Sequence, residues 1–154
     1  MAASSRILRT AEGEIRLYLS DAERELLRTV SEELKVLLAD DDDPALQRLF
    51  PPAHDDPERE REYRELTRAQ LVTGRERALD VLLATLGRDR LSSEEGDAWL
   101  RALNDARLVL GTRLDVVEDM DWDELDFEDP RAHELAVYGY LSWIQEELVA
   151  ATNP

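Results

Sequence analysis

The sequence lacks cysteine altogether and contains only two histidines in 154 residues. The absence of cysteine excludes disulfide bonds, thiolate catalysis and cysteine-ligated zinc. Neither histidine is a sequence neighbour of Ser20 or Ser92, and both serines instead begin helix-capping patterns. The residue types present therefore favour no nucleophilic chemistry, and we expect no catalytic residue and no cofactor.

Long apolar runs and basic charge are also scarce. No run approaches the roughly 20 residues of a transmembrane helix, and the first ten residues lack the apolar core of a signal peptide. The chain has 36 acidic and 19 basic residues, for a formal net charge of −17. Nucleic acid and anionic membranes are poor partners for such a chain, because a basic surface recognises both. We expect a cytoplasmic protein, and a basic protein as its partner.

A periodic segment from Trp99 to Leu114 is the strongest structural signal. Its apolar residues recur at steps of three and four, the repeat of one helix face, and they are Trp99, Leu103, Ala106, Leu110 and Leu114. A second apolar row lies beside the first. Because a helix with apolar residues on two sides is typical of the centre of a bundle, we predict a central helix near residues 93–115.

Residues 6–19 predict a short β-hairpin. Ile15, Leu17 and Leu19 alternate with polar residues, and a turn is expected near Gly13. An isolated two-stranded hairpin is marginal in water. We therefore expect its apolar face to pack on the chain's own helices, with pairing of its edge to a second chain as the alternative.

Capping patterns and prolines divide residues 20–154 into helices and two irregular segments, 40–57 and 115–129. Ser20 with Glu23, and Ser92 with Glu95, form capping boxes. A further box at 67–70 predicts a break or kink. Gly74 lies inside a predicted helix at a cost of about 1 kcal/mol relative to Ala, so we expect it to allow close helix approach. The fold class predicted is mostly α, a compact helical bundle with an N-terminal hairpin, in one domain, 1–154.

Three acidic stretches have the composition of cation sites. The run Asp40–Asp43 places four carboxylates together, but adjacent carboxylates alone set no coordination geometry. His54–Asp56 has ligand chemistry without an element that fixes its spacing, and the interpretation that we favour is that Asp56 caps the next helix, with Pro57 as its first residue. The alternating aspartates of the acidic loop 118–129 resemble a calcium loop, but Glu124 and Pro130 stand where that loop needs Gly and Glu. We expect solvated loops and no metal, with cation binding by the loop 118–129 left open.

One side of the central helix carries a site-like cluster, formed by Asn104 and Arg107 beside the small Gly111. A buried arginine needs a counterpart, so the interpretation that we favour is an internal bridge to a carboxylate. The alternative is a small anion, or an acidic group of a partner, held by Arg107. Trp122 in the acidic loop and Trp143 on the last predicted helix are further candidate contacts, because tryptophans often anchor interfaces.

Three blocks, Arg48–Leu66, Trp99–Leu114 and Tyr138–Val149, resemble a family of small actinobacterial proteins with no assigned function. The similarity covers nearly the whole chain, and it implies no activity, cofactor or catalytic residue. Genes of that family often lie beside the gene for the adaptor that feeds N-degron substrates to the Clp protease. They also lie near genes for a metalloprotease and a sulfur-carrier route to cysteine. The resemblance therefore implies a role near proteolysis or cysteine supply.

Two classes of function remain. The first is a non-enzymatic interaction or regulatory protein, with a homodimer as one form. The second is a carboxylate-based metal-binding protein or small enzyme, which rests on the 36 acidic residues. Composition alone does not supply the defined separation and raised pKa that a catalytic carboxylate pair needs. The acidic surface and the aromatic last helix favour the first class.

Overall fold

The computed structural model describes residues 6–39, 46, 49–50, 53–114, 128 and 130–152. In chain order the elements are β1 (Ile7–Arg9), β2 (Ile15–Leu17), α1 (Asp21–Leu38), α2 (Pro57–Thr85), β3 (Arg90–Leu91), α3 (Ser93–Leu114) and α4 (Ala132–Thr152). Helix α3 packs against both α2 and α4, and β1 packs on α4. The predicted mostly-α bundle with a central helix and an N-terminal hairpin is confirmed.

The central helix owes its position to its apolar rows. Nine of its residues are buried, among them Trp99, Leu103 and Leu114. The indole of Trp99 is completely enclosed, and its Nε1 donates a hydrogen bond of 2.7 Å to Thr85 Oγ1 at the end of α2. A buried indole N–H without an acceptor would cost about 1–3 kcal/mol, so this bond fixes how α3 sits on α2.

The hairpin becomes a three-stranded antiparallel sheet in the order β1-β2-β3. Ile7 pairs with Leu17, and Ile15 pairs with Leu91 of β3. Gly13 makes the turn with φ of 84°, a conformation that favours glycine. Ile7, Ile15 and Leu17 are buried, so the predicted packing on the chain's own helices is confirmed. The two-residue strand β3 is too short to have a sequence signal.

The capping predictions are confirmed at three helix starts. Ser20 and Glu23 exchange both bonds of a capping box before α1, and Ser92 and Glu95 do the same before α3. Asp56 accepts from the Glu58 amide at 3.0 Å and caps α2. The first turn of each helix is therefore fixed by side chains near it in sequence.

The predicted break at 67–70 is wrong, since α2 runs without interruption for 29 residues. Thr67 does not cap a new helix. Its hydroxyl donates instead to the carbonyl oxygen of Tyr63 at 2.7 Å, one helical turn earlier. Threonine can satisfy its hydroxyl inside a helix in this way, and so a capping pattern in the sequence does not require a helix end.

The expected close approach at Gly74 is also wrong. A Cβ built on Gly74 would meet no atom of the described residues within 4 Å. Close approach occurs instead at Gly96 in α3, where a Cβ would lie 2.2 Å from Cδ1 of Ile15. The sheet thus sits so tightly on the first turn of α3 that only glycine fits there without a shift.

Several of the candidate segments from the sequence lie outside the part of the chain that the structure describes. Asp40–Asp43, Trp122 and nearly all of the loop 118–129 lie outside the described residues. In the part of the chain that the structure describes, no helix is both long and apolar enough to cross a membrane.

Candidate functional site

An ion pair joins α2 to α3 in the interior. Asp105 of α3 is only 3% exposed, and its Oδ1 accepts a hydrogen bond from Nη1 of Arg75 in α2. The other terminal nitrogen of Arg75, Nη2, donates to the carbonyl oxygen of Leu49 at 3.1 Å. The guanidinium carbon of Arg75 lies 5.2 Å from the ring centroid of Phe50, within the range of a cation–π contact. Arg75 therefore holds α3 and the segment before α2 together.

The carboxylate of Asp105 is only half satisfied. Its Oδ2 is buried and has no hydrogen-bond partner among the described residues. Burial raises the pKa of Asp105, although the hydrogen bond and charge of Arg75 and the charge of Arg101 act to lower it. The net upward shift means that the positive charges only partly compensate for the loss of hydration.

A cleft of about 330 Å³ lies between α2 and α3. Its wall includes Leu71 and Gly74 from α2, and Arg101, Asn104 and Asp105 from α3. Arg101 is exposed, and it forms no hydrogen bond or ion pair with the residues that the structure describes. The cleft therefore combines an exposed cation at its rim with open space beside Gly74.

Asn104 and Arg107 do lie together, and Asn104 also contacts α4. Oδ1 of Asn104 accepts from Nη2 of Arg107 at 3.4 Å and from Nε2 of Gln145 at 3.3 Å. In the described part of the chain Arg107 has no carboxylate partner, and its buried Nε makes no hydrogen bond. The internal carboxylate bridge favoured for Arg107 is formed by Arg75 with Asp105 instead. Whether Arg107 holds an external anion stays a prediction.

The position of Arg75 in the sequence indicates an internal side chain, although many other charged residues surround it. Arg75 falls on the same helical row as Leu71, Ala78 and Leu82, at steps of four, three and four. A charged residue on an otherwise apolar row must find an internal partner. The partner itself, Asp105, lies 30 positions away, and sequence spacing cannot reveal such a pairing.

Trp143 and its neighbour Tyr140 on α4 are partly buried. Trp143 is half-buried against the core, with its ring centroid 6.1 Å from that of Tyr140. The Tyr140 hydroxyl donates to Oε2 of Glu23 on α1 at 2.9 Å. The polar tip of this tyrosine is therefore used inside the molecule, whereas the role of Trp143 as a contact stays a prediction.

The pKa values of the two side chains in this α1–α4 contact are shifted in opposite directions. Burial and the hydrogen bond to Glu23 raise the pKa of Tyr140. Burial also acts to raise the pKa of Glu23. The hydrogen bonds from the Ser20 amide and Tyr140 and the charge of Arg6 outweigh it, so the pKa of Glu23 is lowered. Arg6 lies 3.5 Å from Oε1 of Glu23, which extends the network to the N-terminal strand.

The stretch His54–Asp56 is used in the entry to α2. Glu60 accepts hydrogen bonds from the backbone amides of Ala53, at 2.9 Å, and His54, at 3.0 Å. The imidazole of His54 meets the ring of Tyr63 edge-on, with centroids 5.5 Å apart. Across the described ranges, no three His, Cys, Asp or Glu side chains are grouped so that they could hold a metal ion.

The chain matches one family of known proteins. The family model described as a domain of unknown function, DUF2017, matches residues 3–152. No curated protein and no solved structure gives a significant match. The match extends over nearly the whole chain and agrees with the resemblance to a family without an assigned activity. The chain therefore belongs to the DUF2017 family.

Proposed function

We propose that the protein is a non-enzymatic interaction protein and that it associates through Pro57–Arg77, the first 21 of the 29 residues of α2, which are here called its first half. The observation that carries the proposal is the exposure of Leu66, which leaves 79% of its surface in solvent. All the fully buried residues of α2 lie beyond this half, from Ala78 onwards. The first half of α2 therefore offers a regular helical surface with an apolar side chain at its middle.

Local contacts, rather than burial, keep the first turns of α2 helical. Asp56 caps the first turn, and Glu60 holds the preceding backbone amides and pairs with Arg64 at 3.4 Å. Such contacts each contribute only a few tenths of a kcal/mol to about 1 kcal/mol. A helix that buries so little is suited to bind another surface, because its side chains are already ordered.

The surface proposed for association is here called the outer face of α2. Its members are exposed and lie on one side of the helix, and they are Arg59, Glu62, Tyr63, Leu66, Ala69 and Thr73. In an antiparallel pairing of two copies about a two-fold axis at Leu66, Leu66 meets Leu66 of the second copy. Tyr63 then meets Ala69, and Arg59 meets Thr73. No like charges face one another, and an isologous contact of this kind closes at a dimer.

Charge favours a second copy as the occupant. Residues Pro57–Arg77 carry six Arg and five Glu, so the net charge of −17 comes entirely from the rest of the chain. Two copies that met through their acidic surfaces would repel each other, whereas the outer face of α2 is nearly neutral. Because one helix face buries less than a standard interface, we expect a dissociation constant of about 1 μM or weaker.

Sedimentation over micromolar to millimolar protein concentrations tests this proposal. The wild-type chain is expected to dimerise reversibly, and Leu66→Asp is expected to remain monomeric. Val36→Asp is the matched control, because Val36 is 75% exposed on a different helix, α1, and is not a member of the outer face of α2. Added salt should strengthen association by screening the repulsion between copies. A wild-type chain that stays monomeric, or equal loss in the two variants, would overturn the proposal.

A cytoplasmic location, and a place near proteolysis or cysteine supply, complete the proposal. The support for them is the actinobacterial family resemblance and its gene neighbourhood. Under this proposal a component of either process binds the chain. Sedimentation of the chain mixed with the Clp adaptor should then show a heavier species, and two independently sedimenting proteins would remove the adaptor as the partner.

A further inference from the structure

We propose that the solvent face of the three-stranded sheet binds a short acidic segment of another protein. The members of this face are Leu8, Arg16, Tyr18 and Arg90, which come from β1, from β2 and the residue after it, and from β3. Carboxylates of the bound segment pair with the two arginines, and an apolar side chain of it packs on Leu8 and Tyr18. The face lies on elements other than α2, so the proposal does not depend on association between copies.

The pairing of the strands brings Leu8, Arg16 and Arg90 into one row. Leu8 is the Cα partner of Arg16, and Arg16 is in turn the Cα partner of Arg90. Directly opposed residues of antiparallel strands project from the same face, with their Cβ atoms about 4.5–5.5 Å apart. The next pair in register, Ile15 and Leu91, points to the opposite face and is buried. The row of Leu8 and the two arginines therefore faces solvent.

The row sets two positive charges beside each other without a strong counterpart. Like charges directly opposite each other in a sheet are destabilising. Arg90 meets Oε1 of Glu14 only at 4.0 Å, with both side chains half-exposed, and such a pair contributes little. Arg16 forms no ion pair or hydrogen bond with the residues that the structure describes. Its Nε is enclosed, whereas its terminal nitrogens are open to solvent. An unfavourable pair of this kind is typical of a functional site, and a carboxylate from outside would relieve the repulsion.

Apolar surface lies beside the two cations. Leu8 and Tyr18 each leave 46% of their surface in solvent. The guanidinium carbon of Arg16 lies 5.2 Å from the ring centroid of Tyr18. This cation–π contact restrains the guanidinium without using its N–H groups. A segment that carries both carboxylates and an apolar side chain can therefore contact all four members of the face.

The charge of the sheet is opposite in sign to that of the whole chain. Residues 6–18 and 88–91 carry five arginines and three acidic residues, a net charge of +2, whereas the whole chain has a net charge of −17. A short acidic segment is attracted to this region and need not extend beyond it. A nucleic acid strand extends its phosphates over the acidic surfaces around the sheet and is repelled there. Charge therefore favours an acidic peptide over a nucleic acid.

Three short probes test the chemistry of the partner. The first is a blocked peptide with two central leucines and three glutamates on either side, the second has glutamines in place of the glutamates, and the third is an oligothymidylate of equal length. Each is titrated into the isotope-labelled chain, and the backbone amide signals of Leu8, Arg16 and Arg90 are followed by NMR. The glutamate peptide should shift these signals saturably, with a dissociation constant of about 1 mM or below. The glutamine peptide should bind at least about tenfold more weakly. Absence of a saturable shift, equal affinity for the two peptides, or tighter binding of the oligothymidylate would overturn the proposal.

One variant separates binding from a structural role of the arginines. Arg16→Glu places a carboxylate directly opposite Arg90. It should abolish binding of the glutamate peptide, while the melting temperature stays the same or rises by up to about 4 °C, because an opposed pair of opposite charges replaces a pair of like charges. A fall in the melting temperature would show that Arg16 serves the fold, and it would overturn the proposal.

A matched pair of variants locates the binding. Arg90→Gln should weaken binding of the glutamate peptide at least about threefold. Arg101→Gln is the control, because Arg101 is likewise exposed but lies on α3, and it should leave the affinity unchanged. Equal effects of the two variants would overturn the proposal. Leu66→Asp should not alter peptide binding, so this proposal and the association through α2 fail independently.

Discussion

The two halves of α2 belong to one continuous helix but have different surroundings. The second half buries Ala78, Leu79, Leu82 and Thr85 against α3 and the rest of the core. The first half contributes no fully buried side chain and leaves Leu66 in solvent. Since burial of apolar surface is the dominant stabilising term in folding, the second half contributes most to stability, and the first half is available for recognition.

The largest expected effect is at Trp99, which packs against the end of the second half of α2. Trp99→Ala removes a fully enclosed indole and its hydrogen bond to Thr85, and we expect a loss of about 3–5 kcal/mol in the free energy of unfolding. Tyr63→Ala is the control on the first half of α2, and it should cost much less. Urea unfolding measures both variants, and similar losses would contradict the contrast.

Arg75 lies near the boundary between the two halves and pairs with the buried Asp105. Arg75→Leu leaves the buried carboxylate of Asp105 without its cation, and we expect a loss of about 3 kcal/mol near neutral pH. The double variant Arg75→Leu, Asp105→Leu should recover much of that loss, because it removes the unpaired charge. Failure of the double variant to recover would show that Arg75 acts through its contacts with Leu49 and Phe50.

The pH dependence of Arg75→Leu follows from the raised pKa of Asp105. A carboxyl whose pKa is higher in the folded state binds more protons there than in the unfolded state, so stability falls as pH rises through that window. In the wild type this window extends from the ordinary value of 3.8 to the raised native pKa, and in the variant it extends further, because the hydrogen bond and charge of Arg75 no longer lower the pKa of Asp105. The variant should therefore regain stability, relative to the wild type, as the pH is lowered. Urea unfolding at several pH values checks this, and an equal deficit at every pH would contradict it.

The same small change, glycine to alanine, should have opposite signs at Gly96 in α3 and at Gly74 in α2, and the larger effect is at Gly96. Gly96→Ala places a methyl group 2.2 Å from Cδ1 of the buried Ile15. Overpacking of about 1–3 kcal/mol should exceed the helix-propensity gain of about 1 kcal/mol. We therefore expect a net loss of about 1 kcal/mol by thermal or urea unfolding. A gain would show that the sheet can move away from α3.

The smallest expected effect is at Gly74, on the open half of α2. Gly74→Ala adds a Cβ where no described atom lies within 4 Å, so the helix gains propensity without a clash. We expect the free energy of unfolding to rise by about 0.5–1 kcal/mol. A loss of stability would mean that Gly74 is in close contact after all and that the open surroundings assigned to it are wrong.

Periodicity and capping predicted the parts of the fold that depend on local sequence. The central helix, the hairpin and the caps at Ser20, Asp56 and Ser92 each depend on residues within a few positions of one another. The break expected at Thr67 and the contact expected at Gly74 failed because the surroundings of a helix, and not its own sequence, decide how such residues are used. Strand β3 escaped prediction for the same reason, since its pairing with β2 gives two residues their structure.

The site was only partly predictable. Asn104 and Arg107 were found from their positions on the central helix, and they do lie together. Asp105 was visible beside them, but its partner Arg75 and the third member of the amide network, Gln145, come from other helices. Such pairings depend on the way the helices pack, so they follow from the structure and not from spacing.

Amide hydrogen exchange along α2, measured at low and at high protein concentration, tests the central contrast most directly. At low concentration we predict weak protection from Arg61 to Val72 and protection near the global free energy of unfolding from Ala78 to Thr85. At high concentration the first group should gain protection as copies associate, while the second stays unchanged. Uniform protection along α2 at both concentrations would contradict the division of the helix into a stabilising half and a recognition half.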